Sequence, residues 1–140
     1  MEWLDGIIVD GHGVAGGRAV GSAGNPYPAG SIRLQQPHFL QAGIDLSPYF
    51  SGTLNVDLAP HKPEAKRVVF DGVLHWYGNI AERFTLARVA CRAAGREVEG
   101  LWYCPDPETK PAHFQRDTVV ELLLPYIDGI AVGDAVSLQF

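Results

Sequence analysis

Two side chains with neutral oxygen donors lie two residues apart in the segment "PYFSGTLNVDL", residues 48–58. Thr53 and Asn55 alternate with Leu54 and Val56, and this period of two predicts a strand with the polar pair on one face and the apolar pair on the other. A hydroxyl and a carboxamide suit a Mg²⁺ ion whose charge is balanced mainly by the phosphates of a nucleotide. The alternative is a polar strand face in contact with solvent.

A glycine-rich segment, "VDGHGVAGGRAV", follows the first apolar run of the chain. Main-chain N–H groups at its glycines are able to approach an anion closely, and such concave sets of amides bind phosphate. Arg18 adds a side chain for charge-assisted hydrogen bonds. The spacing matches neither a Walker loop nor the dinucleotide fingerprint. Phosphate binding therefore stands beside a second interpretation, a glycine-rich hairpin loop. The glycines concerned are Gly11, Gly13, Gly16 and Gly17.

One carboxylate interrupts an apolar strand near the C-terminus. Glu121 lies in "TVVELLLP", on the face opposite its immediate neighbours. It is either an exposed residue or part of a pocket, where it accepts a hydrogen bond or acts as a base. Thr109 and His113, in the preceding loop, are further candidates, although a lone loop histidine is more often a surface residue.

Short strands dominate the expected secondary structure. Period-two runs and glycine turns predict strands at "WLDGIIVDG", "GRAVGS", "GTLNVDL", "RVVFDG" and "TVVELLLP", and a closing strand in "IDGIAVGDAVSLQF" after a Gly-Asp turn. "FTLARVACRAAGREVEGLWYCP" predicts a hairpin that turns at "AAGRE" and carries Arg and Glu on its outer face. Loops are expected at "LHWYGNIAER", residues 74–83, and at "DPETKPAHFQRD", residues 106–117. This pattern favours a small, mainly β barrel or sandwich.

One short helix is expected at "QQPHFLQAG", near residues 36–43. Pro37 suits the first helical position, and Gly43 suits the position after the last turn.

Composition places the chain among globular proteins of one domain. It has 140 residues, of which 46% are hydrophobic and 19% charged, and its net charge is −5. The acidic balance argues against a nucleic-acid surface. No apolar stretch reaches the length of a membrane span, and the first residues do not form a signal peptide, so we expect a cytoplasmic protein. Cys91 and Cys104 form no CxxC pair, and we expect two reduced, apolar strand residues rather than a zinc site.

The order of these segments resembles the CTP-dependent riboflavin kinase family. A glycine loop follows the first strand. Pro48-Tyr49 and Gly52-Thr53-Leu54-Asn55 come next, then a hairpin, a loop with Thr and His, the strand "VVELLLP" and the strand "GIAVGDAVSL". The block from Gly52 to Asn55 is the specific part, and the resemblance covers nearly the whole chain in order. It implies a six-stranded cradle-loop β-barrel, with one or two short helices, over residues 1–140.

The resemblance also implies an activity: transfer of the terminal phosphoryl group of CTP to the 5′-hydroxyl of riboflavin, giving FMN and CDP. Thr53 and Asn55 then correspond to the Mg²⁺ ligands, and Glu121 to a flavin contact and our candidate for the catalytic base. Thr109 or His113 would lie near the flavin. The nucleotide loop would comprise Gly11, His12, Gly13, Gly16, Gly17 and Arg18.

Two other classes of function are compatible with the same pattern. One is a barrel that binds a flavin or a nucleotide without turnover, and the other is an assembly domain. The oligomeric state is not indicated by the sequence. Formation of FMN from riboflavin, a nucleoside triphosphate and Mg²⁺ would distinguish a kinase from the other two classes.

Overall fold

A computed structural model of the chain describes residues 2–10, 32–50, 52–77, 80–105 and 118–140. Within these ranges seven strands and one helix follow one another along the chain. They are β1 (Leu4–Val9), α1 (Ile32–Gln41), β2 (Leu54–Asp57), β3 (Val68–Tyr77), β4 (Ile80–Ala93), β5 (Arg96–Pro105), β6 (Val119–Leu123) and β7 (Ala135–Gln139). The predicted strand in residues 17–22 lies outside the described residues.

Six of the strands form a closed antiparallel barrel. Their order is β4-β5-β6-β2-β1-β7, and β7 pairs with β4 through three residue pairs, Ala90 to Arg92 opposite Gln139 to Ser137. Closure removes free edges from these six strands. The prediction of a mainly β fold built on a small six-stranded barrel is thereby confirmed, with one strand, β3, added beside β4.

The expected loop at residues 74–83 is wrong. These residues carry the end of β3 and the beginning of β4, and Leu74 lies opposite Glu82 in the ladder between them. Both side chains are buried. A polar residue on a buried strand face breaks the alternation that sequence analysis relies on, so the segment resembled a loop.

The β4–β5 hairpin confirms the predicted turn. Ala93 lies opposite Arg96, so only two residues connect the strands. Ala94 and Gly95 have φ angles of 52° and 74°. Two consecutive positive φ angles define a type I′ turn, whose twist matches that of the strands. Arg92 and Glu97 form an exposed ion pair at 3.0 Å on the outer face beside the turn.

Helix α1 begins earlier than expected, and Pro37 lies inside it rather than at its first position. Ile32, Gln35 and Phe39 are fully buried on one face of the helix. Their spacing of three and four residues places them on a single stripe, and packing of this stripe against the sheet extends the helix upstream. Gly43 ends the helix region with a φ of 94°, as expected from its position.

The described residues form two hydrophobic layers. The barrel interior is lined by aliphatic side chains such as Ile8, Val56 and Leu122. The second layer lies between the outer surface of the sheet and α1, where Phe39 packs edge-on against Phe70 and Phe84 at centroid distances of 5.5 and 5.2 Å. Within the described part of the chain, no helix is long and apolar enough to cross a membrane.

Candidate functional site

Both faces of β2 are buried. Leu54 and Val56 point into the barrel interior, as expected. Thr53 and Asn55 share the opposite face, as the period of two predicts, but each is only 2% exposed. The interpretation of this face as one in contact with solvent is therefore wrong, since the polar pair lies in the outer layer beneath other parts of the protein.

Glu121 lies directly across from Asn55. The two residues are register partners in the β2–β6 ladder, which places their side chains on the same face of the sheet. The Thr53 hydroxyl donates a hydrogen bond to Glu121 Oε1 at 3.2 Å. Glu121 is 7% exposed, so it lines the interior of the outer layer rather than the surface. The structure thus brings Thr53, Asn55 and Glu121 together from segments 66 or more residues apart.

Tyr103 extends this arrangement by one strand. It is the register partner of Glu121 in the β5–β6 ladder. Its hydroxyl donates a hydrogen bond of 2.7 Å to Gln35 Oε1, which joins the sheet to α1. Burial raises the pKa of the Tyr103 phenol well above its ordinary value, and the negative charges of Glu121 and Glu82 raise this pKa further. The phenol is therefore a protonated hydrogen-bond donor at neutral pH.

Glu82 is the second buried carboxylate of this region. It lies in β4, is 1% exposed, and is close enough to Tyr103 for its charge to raise the pKa of the phenol. Burying a carboxylate is costly unless hydrogen bonds or opposite charges compensate it. Two such groups in one layer indicate a site that the fold maintains at some cost in stability. We call six residues of the outer layer the polar cluster: Gln35, Thr53, Asn55, Glu82, Tyr103 and Glu121.

The chemistry available in the polar cluster is that of oxygen groups. Thr53, Asn55 and Glu121 offer a hydroxyl, an amide carbonyl and a carboxylate, all of them hard donors. Among the described residues, no group of three or more His, Cys, Asp or Glu side chains lies close enough together to hold a metal. A metal at this position would therefore be held by a mixed set of neutral and charged oxygens.

Sequence analysis missed half of the polar cluster. Gln35 lies in the segment predicted as a helix, and nothing in its sequence context marks it as a functional residue. Glu82 lies in the segment that the sequence predicts as a loop. Tyr103 was assigned only to the hairpin, although its alternation with Trp102 and Cys104 indicated the face that it shares with Leu101. A strand predicted at residues 80–83 would have placed Glu82 on a strand face and identified it as a candidate for the polar cluster.

The other predicted site residues lie outside the described residues. These are Gly11, His12, Gly13, Gly16, Gly17 and Arg18 of the glycine loop, together with Thr109 and His113. The described residues do show where the glycine loop begins. Val9, the last residue of β1, is the register partner of Asn55. The chain thus enters the loop from a strand end directly beside the polar cluster.

Both cysteines lie in strands, as expected. Cys91 is fully buried in the barrel interior, and burial raises the pKa of its thiol to about 11. Cys104 is half-buried in β5, where burial and then the charge of Glu121 raise the pKa of the thiol to about 12. Thiols with such pKa values are protonated at neutral pH and make poor nucleophiles.

No protein-family model matches the chain, and no curated protein matches it.

Proposed function

We propose that the chain is a riboflavin-kinase-like phosphotransferase, which moves the terminal phosphoryl group of a nucleoside triphosphate, CTP by resemblance, to the 5′-hydroxyl of riboflavin. The observation that carries the proposal is the meeting of Thr53, Asn55 and Glu121 in one buried cluster. The Gly-Thr-Leu-Asn block contains Thr53 and Asn55, and the "VVELLLP" strand contains Glu121. The two segments lie far apart in the sequence. The closed six-stranded barrel around them agrees with the fold that the resemblance implies.

The donor set of the polar cluster fits Mg²⁺. Thr53 and Asn55 supply neutral oxygens on one strand face, and the Glu121 carboxylate lies beside them across the ladder. Hard oxygen ligands and few protein charges suit an ion that shares its coordination with phosphates. When bound, Mg²⁺ would neutralise charge on the transferring phosphates. Thr53 and Asn55 would hold it.

Glu121 is the candidate base. In the proposed reaction the 5′-oxygen of riboflavin forms a bond to the γ-phosphorus, and the bond from that phosphorus to the β,γ-bridging oxygen breaks. The hydroxyl proton passes to the Glu121 carboxylate, and the nucleoside diphosphate leaves. The hydrogen bond from Thr53 fixes one oxygen of this carboxylate, which restricts the direction in which the other accepts a proton.

The remaining roles belong to residues outside the described ranges. Gly11, His12, Gly13, Gly16, Gly17 and Arg18 would surround the phosphates, and Thr109 or His113 would contact the flavin together with Glu121. The position of Val9 opposite Asn55 supports the first of these assignments, because it starts the glycine loop next to the proposed metal ligands. Phosphoryl transfer depends chiefly on such positioning and on neutralising charge.

One observation favours a second candidate, a barrel that binds flavin or nucleotide without turnover. Thr53 and Asn55 are almost fully buried, and the Thr53 hydroxyl already donates to Glu121. A kinase must expose Thr53 and Asn55 to the phosphate donor, whereas a barrel that binds flavin alone needs no access to these two residues. Both candidates use the same barrel and differ only in whether product forms.

The experiment is a direct assay for FMN. The purified chain is incubated with riboflavin, each nucleoside triphosphate in turn and Mg²⁺, and the products are separated and detected by flavin fluorescence. We expect FMN with at least one donor, loss of FMN formation in Glu121→Gln, and normal formation in the control Glu99→Gln, which alters an exposed carboxylate of β5. Binding of riboflavin without FMN would favour the non-catalytic barrel, and absence of both binding and product would overturn the proposal.

A further inference from the structure

Strand β3 stands at the end of the strand order in the described sheet. It pairs with β4 on one side, and no strand among the described residues pairs with it on the other. Closure of the barrel, which removes the edges of the other six strands, leaves β3 out. A strand in this position directs backbone N–H and C=O groups away from the sheet, and these groups are a template for a further strand.

The middle of β3 has a regular backbone that suits pairing. Its ladder with β4 shifts between Val68 and Phe70 and again between Leu74 and Tyr77, and it keeps a continuous register from Phe70 to Leu74. β3 contains neither proline nor lysine, which natural edge strands commonly carry to prevent pairing with another chain. The irregularities interrupt the two ends of the strand, so the segment 70–74 is the part of this edge best able to accept a partner.

The two faces of this edge segment differ. Phe70 packs against Phe39 of α1, so one face belongs to the outer layer. On the opposite face Asp71, Val73 and His75 follow one another with the period of two of a strand, and all three are exposed. Val73 is an exposed large hydrophobic residue, with 54% of its surface accessible. An apolar side chain therefore lies between an acid on one side and an imidazole on the other.

This order of side chains is complementary to itself in an antiparallel pairing. When two copies of β3 pair about a two-fold axis at Val73, the two valines lie opposite each other, and each Asp71 lies opposite the His75 of the second copy. An axis at Gly72 would instead place Asp71 opposite Val73. An axis at Asp71 would place two carboxylates opposite each other, which is destabilising. The charges therefore favour the axis at Val73.

Asp71 is able to make this contact although it already has an ion-pair partner. Arg83 Nε and Nη2 donate to its two carboxylate oxygens at 3.0 and 2.9 Å, and the Thr85 hydroxyl lies 3.5 Å from one of them. A carboxylate has about four lone-pair positions, so it accepts a further hydrogen bond from an imidazole N–H. The Arg83 guanidinium also offsets the charge of Asp71, which would otherwise protect the edge from a second strand.

We propose that the edge of β3 is a dimer interface, at which two copies of the chain join their sheets by antiparallel pairing of β3 with β3 about Val73. Backbone hydrogen bonds between the two strands and burial of the paired Val73 side chains provide the affinity. The contact of Asp71 with His75 sets the register and adds little affinity, because exposed charged pairs contribute little. The inference uses no residue of the polar cluster, so it is independent of the proposed function.

Sedimentation velocity over a range of protein concentrations tests the dimer. We expect the wild-type chain to dimerise and Val73→Lys to weaken the dimer at least about tenfold, because two ammonium groups would meet at the axis in place of an apolar pair. Lysine is well tolerated at an exposed edge, and urea unfolding verifies that the variant is folded. The control is Ile7→Lys, at an exposed residue of β1, a strand with a partner on each side, and it should leave the dimer intact.

A matched pair of variants at His75 tests the register. His75→Asp would place two carboxylates opposite each other and should weaken the dimer about fivefold, whereas His75→Lys keeps a donor opposite Asp71 and should change its affinity less than about twofold. Both variants alter the same exposed position, so a difference between them reports the charge that lies across the interface. Equal dimer affinities of the two variants would overturn the axis at Val73.

Two further results would overturn the interface itself. A wild-type chain that remains monomeric at every concentration would do so, and protection of the β3 amides from hydrogen exchange in that monomer would show that the chain covers its own edge. A dimer that is as strong in Val73→Lys as in the wild type would place the contact on another surface.

Discussion

The barrel interior and the outer layer are both closed to solvent, yet they differ in the side chains that fill them. The buried side chains of the interior are mainly valine, leucine and isoleucine. The other three are Cys91, Ala93 and Phe140. The outer layer contains three aromatic residues among its buried side chains. It also holds the buried polar residues of the described part of the chain, namely Gln35, Thr53, Asn55, Glu82 and Glu121.

This difference indicates that the barrel interior contributes mainly to stability and that the outer layer holds the groups able to do chemistry. An aliphatic interior has no groups whose burial must be compensated, so its burial contributes directly to the free energy of unfolding. The outer layer buries carboxylates and amides, which contribute little or even oppose folding unless they are fully hydrogen-bonded. Polar groups retained at such a cost are typical of functional sites. Variants in the two layers should therefore differ in what they change.

The largest effect on stability is expected from the neighbouring leucines of β6. Leu122 lies in the interior and Leu123 in the outer layer, and both are fully buried. Leu122→Ala should lower the free energy of unfolding by about 4 kcal/mol and Leu123→Ala by about 2–3 kcal/mol, because α1 is able to move into the second cavity but a closed barrel cannot collapse into the first. Urea unfolding measures both. An equal or larger cost at Leu123 would show that the two layers are equally rigid.

A slightly smaller effect is expected where the layers meet. A Cβ at Gly100 would overlap the carbonyl oxygen of Leu123 and lie 2.6 Å from Leu124 Cδ2. Gly100→Ala should therefore cost about 3 kcal/mol, since a backbone atom must move. The control is Gly72→Ala in β3, where the nearest atom is Phe70 Cζ at 3.1 Å and the expected cost is about 1 kcal/mol or less. Equal thermal midpoints for the two variants would contradict the close approach at Gly100.

Removal of one hydroxyl in the polar cluster should cost less. Tyr103→Phe deletes the donor to Gln35, and a lost buried hydrogen bond costs about 1–2 kcal/mol. Tyr126→Phe, at a tyrosine that is 57% exposed, is the control and should lower the free energy of unfolding less than Tyr103→Phe does. A neutral result for Tyr103→Phe would mean that water replaces the phenol without loss.

The same variant tests a pH dependence of the wild-type stability. The pKa of Tyr103 in the folded chain is well above its ordinary value of 10.0. Below pH 10 the phenol is protonated in both states and its contribution to stability is fully present. Above pH 10 the unfolded state releases the proton while the folded state keeps it, so the free energy of unfolding falls as the pH rises. Tyr103→Phe should lose less stability than the wild type between pH 9 and pH 11, and an identical decline in both would contradict the raised pKa.

The last variant should change binding more than it changes stability. Asn55→Leu replaces a buried amide with an apolar side chain of similar size, and we expect the free energy of unfolding to fall by about 1–2 kcal/mol, because the polar partner of the amide is left buried. Calorimetry should show that Mg²⁺-dependent binding of CTP is lost, because one of the two neutral oxygens is gone. Thr85→Val, at a half-buried threonine of β4, is the control. Unchanged CTP affinity in Asn55→Leu would mean that this residue holds no metal.

Local patterns in the sequence determined much of the scaffold. The alternation of Leu54 and Val56 with Thr53 and Asn55 was sufficient to assign these pairs to opposite faces of a strand, because the side-chain period of a strand is always two. The turn at Ala94 and Gly95 followed from the short break between two apolar runs. These features depend on residues close together in the chain, so the sequence alone carries them.

Only the tertiary structure decided what surrounds those faces. Glu121 meets Asn55 because two strands more than 60 residues apart pair in one particular register, and a shift of one residue would turn Glu121 toward the barrel interior. Gln35 and Glu82 belong to the cluster because packing against the sheet extends α1 and holds residues 80–83 in a strand. The closure of the barrel and the layer outside it, rather than any local preference, turned a polar strand face into a buried site.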